Sequence, residues 1–302
     1  GEFIVAEADE SDGSFLKLSP TIAVVTNIDA EHLDFYHNID RIKEVFLDFV
    51  NKVPFYGLAV LCLDNEGIQE LIPKLAKRFT TYGLTSQADY QARDIKFEGL
   101  KSRYRLFRDT KPLGVVDLNL PGLHNVYNSM ASVAIGMELG IRFDTIVEAL
   151  KELEGVERRL QVKGTAGGVT VVDDYGHHPT EIRMTLQSVR QCWPDRRLVV
   201  VFQPHRYTRT AMLFDDFTRA FYQADSLVML PIYPAGEAPV ENVSSSALCE
   251  AILHHGHKDV TFQDGLDAAV SYLGKTLRKG DILLTLGAGD VYRVGEKLLS
   301  GD

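Results

Sequence analysis

The stretch VTVVDDYGHHPTEIRMTLQSVRQCWPDRRLVVVF, residues 169–202, decides the fold class. Its ends, 169–173 and 198–202, are short β-branched apolar runs of the length expected for strands buried on both faces. A helical segment near 180–192 lies between them. The alternation continues downstream, with strands expected at 227–232, 260–262 and 282–286 and helices near 209–224, 244–254, 266–277 and 291–300. Strands separated by helices of this length imply a mainly parallel α/β sheet with right-handed crossovers.

Toward the N-terminus the pattern is less regular. Runs at 3–8, 21–28 and 57–64 suit short buried strands, the last followed by a helix near 66–77. Across 39–50, Ile39, Ile42, Val45, Phe46 and Phe49 fall at helical spacing while Asp40, Lys43 and Glu44 face away. Residues 90–120 alternate polar and apolar side chains and read as antiparallel strands. Helices follow at 124–139 and 143–153, with Gly140 a fitting stop between them. The helical pattern breaks at LEGVERR, so the domains are expected at 1–156 and 157–302, in agreement with the length.

Composition narrows the function classes. Asp and Glu number 42 against 32 Lys and Arg, and the net charge of -10 offers no general attraction to nucleic acid or an anionic membrane. A phosphate-bearing ligand must then be held by a few placed cations or a metal. Cys62, Cys192 and Cys249 are widely spaced and form no CxxC pair, which fits reduced, buried thiols in a cytoplasmic protein. No apolar run approaches the ~20 residues of a membrane span, and no basic-then-apolar leader opens the chain. The opening GEFIVAEADE has no initiator Met and enters directly on a strand-like run, so further sequence is expected upstream.

Candidate ligand groups gather at the expected strand ends, where open α/β sheets place their chemistry. AEADESDGS carries Glu7, Asp9, Glu10 and Asp12, oxygen ligands suited to Mg²⁺ beside phosphates or simply a solvated acidic turn. A calcium loop fails on spacing: with Gly13 in the sixth position, Ala8 and Ser19 would fill the first and twelfth. TNIDAEHLD adds Asn27, Asp29, Glu31, His32 and Asp34, with His32 either a metal ligand or an ordinary loop histidine. DDYGHHP and QPHRYTRT place Asp173, Asp174, Tyr175, His177 and His178, then His205, Arg206 and Arg209, after two strands of the second half. Basic residues at a helix start are electrostatically unfavourable, and a bound anion such as a carboxylate would explain them.

Several long motifs together resemble the Mur ligase family: VAEADESDGSFLKL, VVTNIDAEHLD, FVNKVPFYGLAVLCLDN, PGLHNVYNSMASVAI, VVDDYGHHPTEI, FQPHRYTRT and YPAGEAP. The resemblance spans essentially the whole chain. It implies part of a central ATPase domain followed by a Rossmann-like, amino-acid-binding C-terminal domain, in a ligase of peptidoglycan precursor synthesis using ATP and Mg²⁺. The family's UDP-binding first domain and its Gly-Lys-Thr phosphate loop have no counterpart here, since no GxxxxGK[ST] occurs. The implied substrates are UDP-N-acetylmuramate and L-alanine, joined through an acyl phosphate, and the fragment alone is expected to be inactive. A recycling relative that attaches a tripeptide to the same sugar nucleotide is the near alternative, disfavoured by Gly176 in DDYGHHP; a non-catalytic nucleotide-binding fragment is another.

Carried onto matching positions, the resemblance implies Glu7 and His32 as metal ligands. It implies His124, Asn125, Arg158 and Asp174 as nucleotide-binding residues, with Arg159 a weaker match. Asn125 would otherwise be a plain helix N-cap, and the paired arginines plain surface. Tyr175, His177, His205, Arg206 and Arg209 would take the amino acid, with His177, Arg206 and Arg209 as the catalytic candidates. Lys43 does not match the spacing of a carbamylated lysine found in some relatives. Two motifs read as decoys. His254, His255 and His257 fall at a helix end and are expected to face solvent. LGAGDVYRVG has Tyr292 where a dinucleotide loop needs its third glycine, which leaves a glycine turn at the sheet edge near substrate.

Overall fold

The computed structural model describes residues 1–301, Asp34 by its backbone only, and the chain divides into two compact units. The first holds Gly1–Lys96, Lys101–Asn119 and His124–Leu153; the second holds Phe97–Leu100, Leu120–Leu123 and the chain from Glu154 onward.

The first unit is built on a six-stranded sheet in the order β1 (Ile22–Val25), β2 (Leu58–Cys62), β3 (Phe79–Gly83), β4 (Tyr90–Glu98), β5 (Lys101–Arg108) and β6 (Lys111–Leu118). Strands β1 to β4 pair in parallel, and β5 and β6 form an antiparallel hairpin. Helices α1 (Leu33–Tyr36), α2 (Ile39–Val50), α3 (Glu66–Leu71), α4 (Leu123–Glu138) and α5 (Phe143–Glu152) complete it. In α2 the apolar stripe buries Ile42, Val45 and Phe49, and Asn38 caps the start by accepting from Arg41 N at 2.8 Å. The uniformly apolar β2 is buried along its whole length, as its composition requires.

The expected strand at 3–8 does not form. Ile4 and Val5 are 95% and 99% exposed, and residues 1–10 carry no regular structure. A strand needs a ladder partner, and among the described residues none pairs with this run. The helix expected across 66–77 stops at Leu71 and continues as a short 3₁₀ turn containing Pro73, which cannot extend an α-helical ladder.

The second unit follows the sequence pattern more closely. Its strands are β7 (Gln161–Ala166), β8 (Val169–Asp174), β9 (Leu198–Phe202), β10 (Ser226–Met229), β11 (Val260–Phe262) and β12 (Ile282–Leu286), ordered β11-β10-β9-β12-β8-β7. All pairs are parallel except β7 with β8. Helices α6 (Pro179–Cys192), α7 (Tyr207–Met212), α8 (Phe214–Thr218), α9 (Ser245–His254), α10 (Leu266–Thr276) and α11 (Tyr292–Ser300) cover the faces. The period of two splits β9 between two cores: Leu198, Val200 and Phe202 join Leu186, Phe217 and Phe221, whereas Val199 and Val201 join Val228, Leu273 and Val294. The helix expected over 209–224 is instead the α7–α8 pair.

His257, expected to face solvent with His254 and His255, is buried, and its Nδ1 accepts from Asp259 N at 3.2 Å. The three cysteines are buried and unbridged, and burial pushes the Cys62 thiol up to about 11. Among the described residues no helix is long and apolar enough to cross a membrane.

Candidate functional site

In the second unit the carboxyl ends of β8, β12 and β9 lie side by side, the position where open α/β sheets bind ligands. His178 caps α6 with Pro179 in the first turn, and Glu181 closes a capping box. Glu181 Oε2 accepts from His177 N (2.9 Å) and His178 N (3.1 Å). Burial raises the Glu181 pKa, but the His177 charge and these N–H groups outweigh it, so the carboxyl titrates below its ordinary value. The DDYGHHP loop is thereby fixed by its own helix start.

Four rings line the edge above it. Tyr175 meets His177 edge-on at 5.4 Å, His177 lies 5.9 Å from His205, and His205 stacks on Tyr233 at 5.4 Å with planes 8° apart. Arg209 Nη1 donates to the His205 carbonyl at 3.2 Å and lies 3.3 Å from its Nδ1. Arg206, at φ 70° before α7, has Nη1 3.9 Å from Glu237 Oε1. Glu237 also accepts from Thr208 N (3.0 Å) and Thr208 Oγ1 (2.7 Å). Burial, His177, Arg209 and Arg206 push the His205 pKa down to about 4. His177 is lowered too, by burial first and then by Arg209 and His178 against the pull of Glu181. Both imidazoles are therefore neutral at neutral pH, and the positive charge of this corner resides on two guanidinium groups. Such a corner suits a carboxylate or another small anion.

Arg158 and Asp174 occupy the layer beneath. Arg158 Nε donates to Asp173 Oδ2 at 2.9 Å, and its Nη2 donates to Gly287 O at 2.7 Å. Its guanidinium lies 5.0 Å from the Tyr175 ring and 4.9 Å from the Tyr292 ring. The LGAGD turn thus follows a central strand, β12, and receives Arg158 on its carbonyls. Asp174, expected to face a nucleotide, is 5% exposed. Its carboxylate accepts from Leu160 N (2.8 Å), Gly176 N (2.8 Å) and Thr185 Oγ1 (3.0 Å). Both oxygens are thus used within the fold, where they hold the turn after Arg158 and the start of the DDYGHHP loop. Burial raises its pKa, with those donors and Arg159 opposing. Arg159 itself pairs with Glu181 at 3.3 Å.

In the first unit, Glu10, Glu31 and His32 bring ligand atoms within 4.8 Å of one another, with His32 Nε2 3.7 Å from Glu10 Oε1. The Tyr36 hydroxyl donates to the Glu10 carbonyl, and Asp9 and Asp12 accept from Ser11 N and Ser14 N, which fold the acidic segment into a turn. Glu7 is exposed and outside this group, contrary to expectation, because the unformed strand does not hold it at a sheet edge. Two carboxylates and an imidazole fit a divalent cation: the oxygens suit Mg²⁺, and the nitrogen is the softer donor. His124 and Asn125 lie in the first turn of α4, which begins at Leu123, so Asn125 is inside the helix instead of capping it. Tyr127 anchors that turn by donating to Asp64 Oδ2 (2.9 Å), which also accepts from Leu84 N (2.5 Å) just beyond β3.

Sequence reasoning missed Glu181, Tyr233 and Glu237, and chose Glu7 over Glu10 and Glu31. The His-Pro-x-Glu spacing of a capping box would have exposed Glu181. Tyr233 and Glu237 lie in the YPAGEAP motif, which carries the family resemblance but assigned neither of them a place in the site.

Two mainly parallel-stranded units bearing acidic, amide and guanidinium groups at strand ends and helix starts define a two-unit α/β protein. Residues 1–136 match the Mur ligase middle domain and residues 158–289 the Mur ligase glutamate ligase domain. The chain belongs to the Mur ligase family. The UDP-N-acetylmuramate–L-alanine ligase of Desulfatibacillum aliphaticivorans is 62% identical over 300 residues, covering 99% of this chain and 66% of that protein. Its counterpart in Geobacter sulfurreducens is 55% identical, covering 99% and 65%. The solved structure of UDP-N-acetylmuramate–alanine ligase MurC from Thermotoga maritima superposes with a TM-score of 0.79 at 25% identity, covering 97% of this chain and 62% of that one. This chain therefore spans slightly less than two thirds of the length of these relatives.

Proposed function

We propose that this chain forms the ATP-handling and amino-acid-handling parts of a cytoplasmic ligase that joins L-alanine to UDP-N-acetylmuramate in peptidoglycan precursor synthesis. Similarity to proteins named for that reaction supports the reading. The observation that carries it is the corner where Arg206 and Arg209 meet the neutral rings of His177 and His205.

In the proposed reaction a muramoyl carboxylate oxygen attacks the γ-phosphorus of ATP, and ADP leaves. The alanine nitrogen then attacks the acyl carbon, the carbon–oxygen bond to phosphate breaks, and the amine's surplus protons are lost. No covalent bond to the protein is required, so its contribution is positioning and charge neutralisation. Arg206 and Arg209 grip the alanine carboxylate, while Tyr175 and His177 line the amino acid's path. A neutral imidazole accepts a hydrogen bond from the amine without repelling an ammonium. Asn125, beside His124, offers the donor and acceptor of an adenine edge. Arg158 has five N–H groups, and its partners leave some of them for a nucleotide. Glu10, Glu31 and His32 are the groups that would hold Mg²⁺, whose charge would offset that of the transferring phosphoryl group.

The test is phosphate release by a full-length ligase carrying this chain. Release is expected only when ATP, Mg²⁺, UDP-N-acetylmuramate and L-alanine are all present. Release that ignores the amino acid, or a preference for a tripeptide in direct competition, would contradict the reading. The 302-residue chain alone, with no GxxxxGK[ST] segment, is expected to show negligible turnover.

A further inference from the structure

Tyr233 plays no part in the roles above, yet the fold pins it into the same corner. It sits beyond β10, where Tyr233 N donates to Pro204 O (2.8 Å) and Arg206 N donates to Tyr233 O (2.8 Å). These bonds extend the β9–β10 pairing by an isolated parallel bridge between His205 and Tyr233. The ring stacks on His205. A neighbouring surface is the backbone at Gly289: a Cβ there would lie 2.9 Å from Tyr233 Cγ and would also collide with Gln203 Oε1. Glycine at 289 lets the turn after β12 lie flat against the ring. The tyrosine is therefore held by backbone bonds, a stacked imidazole and a glycine turn, while 37% of it remains exposed.

We infer that Tyr233 is the residue that limits the size of the acceptor's side chain. The inference rests on the proposed amino-acid site. An α-amino acid whose carboxylate is held at Arg206 and Arg209 has its Cα and Cβ beside His205, because Arg209 touches that imidazole. The His205–Tyr233 stack then forms a rigid wall for the substituent. Its rigidity matters, because a mobile ring would yield to a larger side chain. A methyl group fits against such a wall, whereas a branched or longer chain would have to displace a ring that the backbone ladder holds in place.

The experiment measures acceptor-dependent phosphate release by the full-length ligase with L-alanine and L-leucine. Tyr233→Ala is expected to raise kcat/KM for L-leucine relative to L-alanine by roughly tenfold or more, the scale on which apolar pockets sort side chains by size. Tyr233→Leu should give a smaller shift in the same direction, and Tyr233→Phe, which keeps the ring, none. A Tyr233→Ala or Tyr233→Leu enzyme that uses L-alanine with an unchanged ratio overturns the inference. Where a variant does not turn over, ligand-observed NMR competition between the two amino acids on the 302-residue chain supplies the same ratio. Loss of L-alanine binding in all three variants would make the ring structural and also overturns it. Failure of the unsubstituted enzyme to use L-alanine is a separate result, and sinks the ligase reading itself.

Discussion

His205 shows how a few neighbours set the chemistry of one group. Its half-buried imidazole stacks on the Tyr233 ring beside two guanidinium groups, and the pKa falls from 6.5 to about 4. Between those values the unfolded chain binds a proton that the folded chain refuses. Stability from this group is complete above about pH 6.5 and declines as the pH falls toward 4, below which it stays constant. His177 acts with the same sign. Replacing His205 with Gln should therefore flatten the loss of stability between pH 7 and pH 4.5, read as the shift in urea midpoint relative to the unsubstituted protein. An equal acid-induced loss in both proteins would show that His205 titrates normally. The residue types of this site were legible in the sequence, because arginines after a strand demand an anion. Their division of labour was not. Asp174 and Arg158 are the same kinds of group as Glu237 and Arg206, and only the fold shows which bonds each makes within the protein. Asp174 reaches Leu160 and Thr185, and Arg158 reaches Gly287 across 129 positions.

Among the elements, the first link of the β1–β2 ladder depends on the absence of a side chain. Leu58 N donates to Thr21 O at 3.2 Å, and a Cβ on the preceding Gly57 would fall on that same carbonyl oxygen and lie 2.7 Å from Val53 Cγ1. The carbonyl belongs to a paired backbone and cannot swing aside as a long side chain would. Gly57→Ala is thus expected to destabilise the first unit by about 1–3 kcal/mol, the usual cost of overpacking, measurable by urea denaturation. A neutral substitution would mean that β1 pairs weakly. The elements themselves divide into legible and illegible by how far their stability is local. Strands β8, β9 and β12 and helices α6, α9 and α10 appear nearly where periodicity places them, since each buries a face that its own residues encode. The 3–8 run has the composition of a strand but no neighbour to bond. Strands β3 and β7 escaped notice because FTTYG and QVKGTA have little apolar alternation and gain their order from adjacent strands. The break between α7 and α8 is likewise invisible in a continuous helical pattern.

At the scale of the molecule, each unit contains a sheet and a buried core of its own, which is the condition for domains to unfold as separate cooperative steps. The second unit is apolar on both faces of its sheet, with separate clusters around Phe217 and around Leu273. The first leaves Phe3, Ile4 and Val5 exposed, and Val24 of the edge strand β1 is 36% exposed. With those side chains left in water, it is expected to unfold first, because stability follows the apolar area removed from water. A natural probe distinguishes the two. Trp193, the chain's single tryptophan, packs against the core around Phe217 in the second unit, whereas far-UV circular dichroism reports helices and strands in both. In a urea titration the dichroism should begin to fall before the Trp193 emission shifts. Gly57→Ala should widen the gap, moving the early part of the dichroism curve to lower urea while the fluorescence midpoint stays in place. Coincident curves that shift together would mean that the whole chain unfolds as one cooperative unit, and would defeat the two-step expectation.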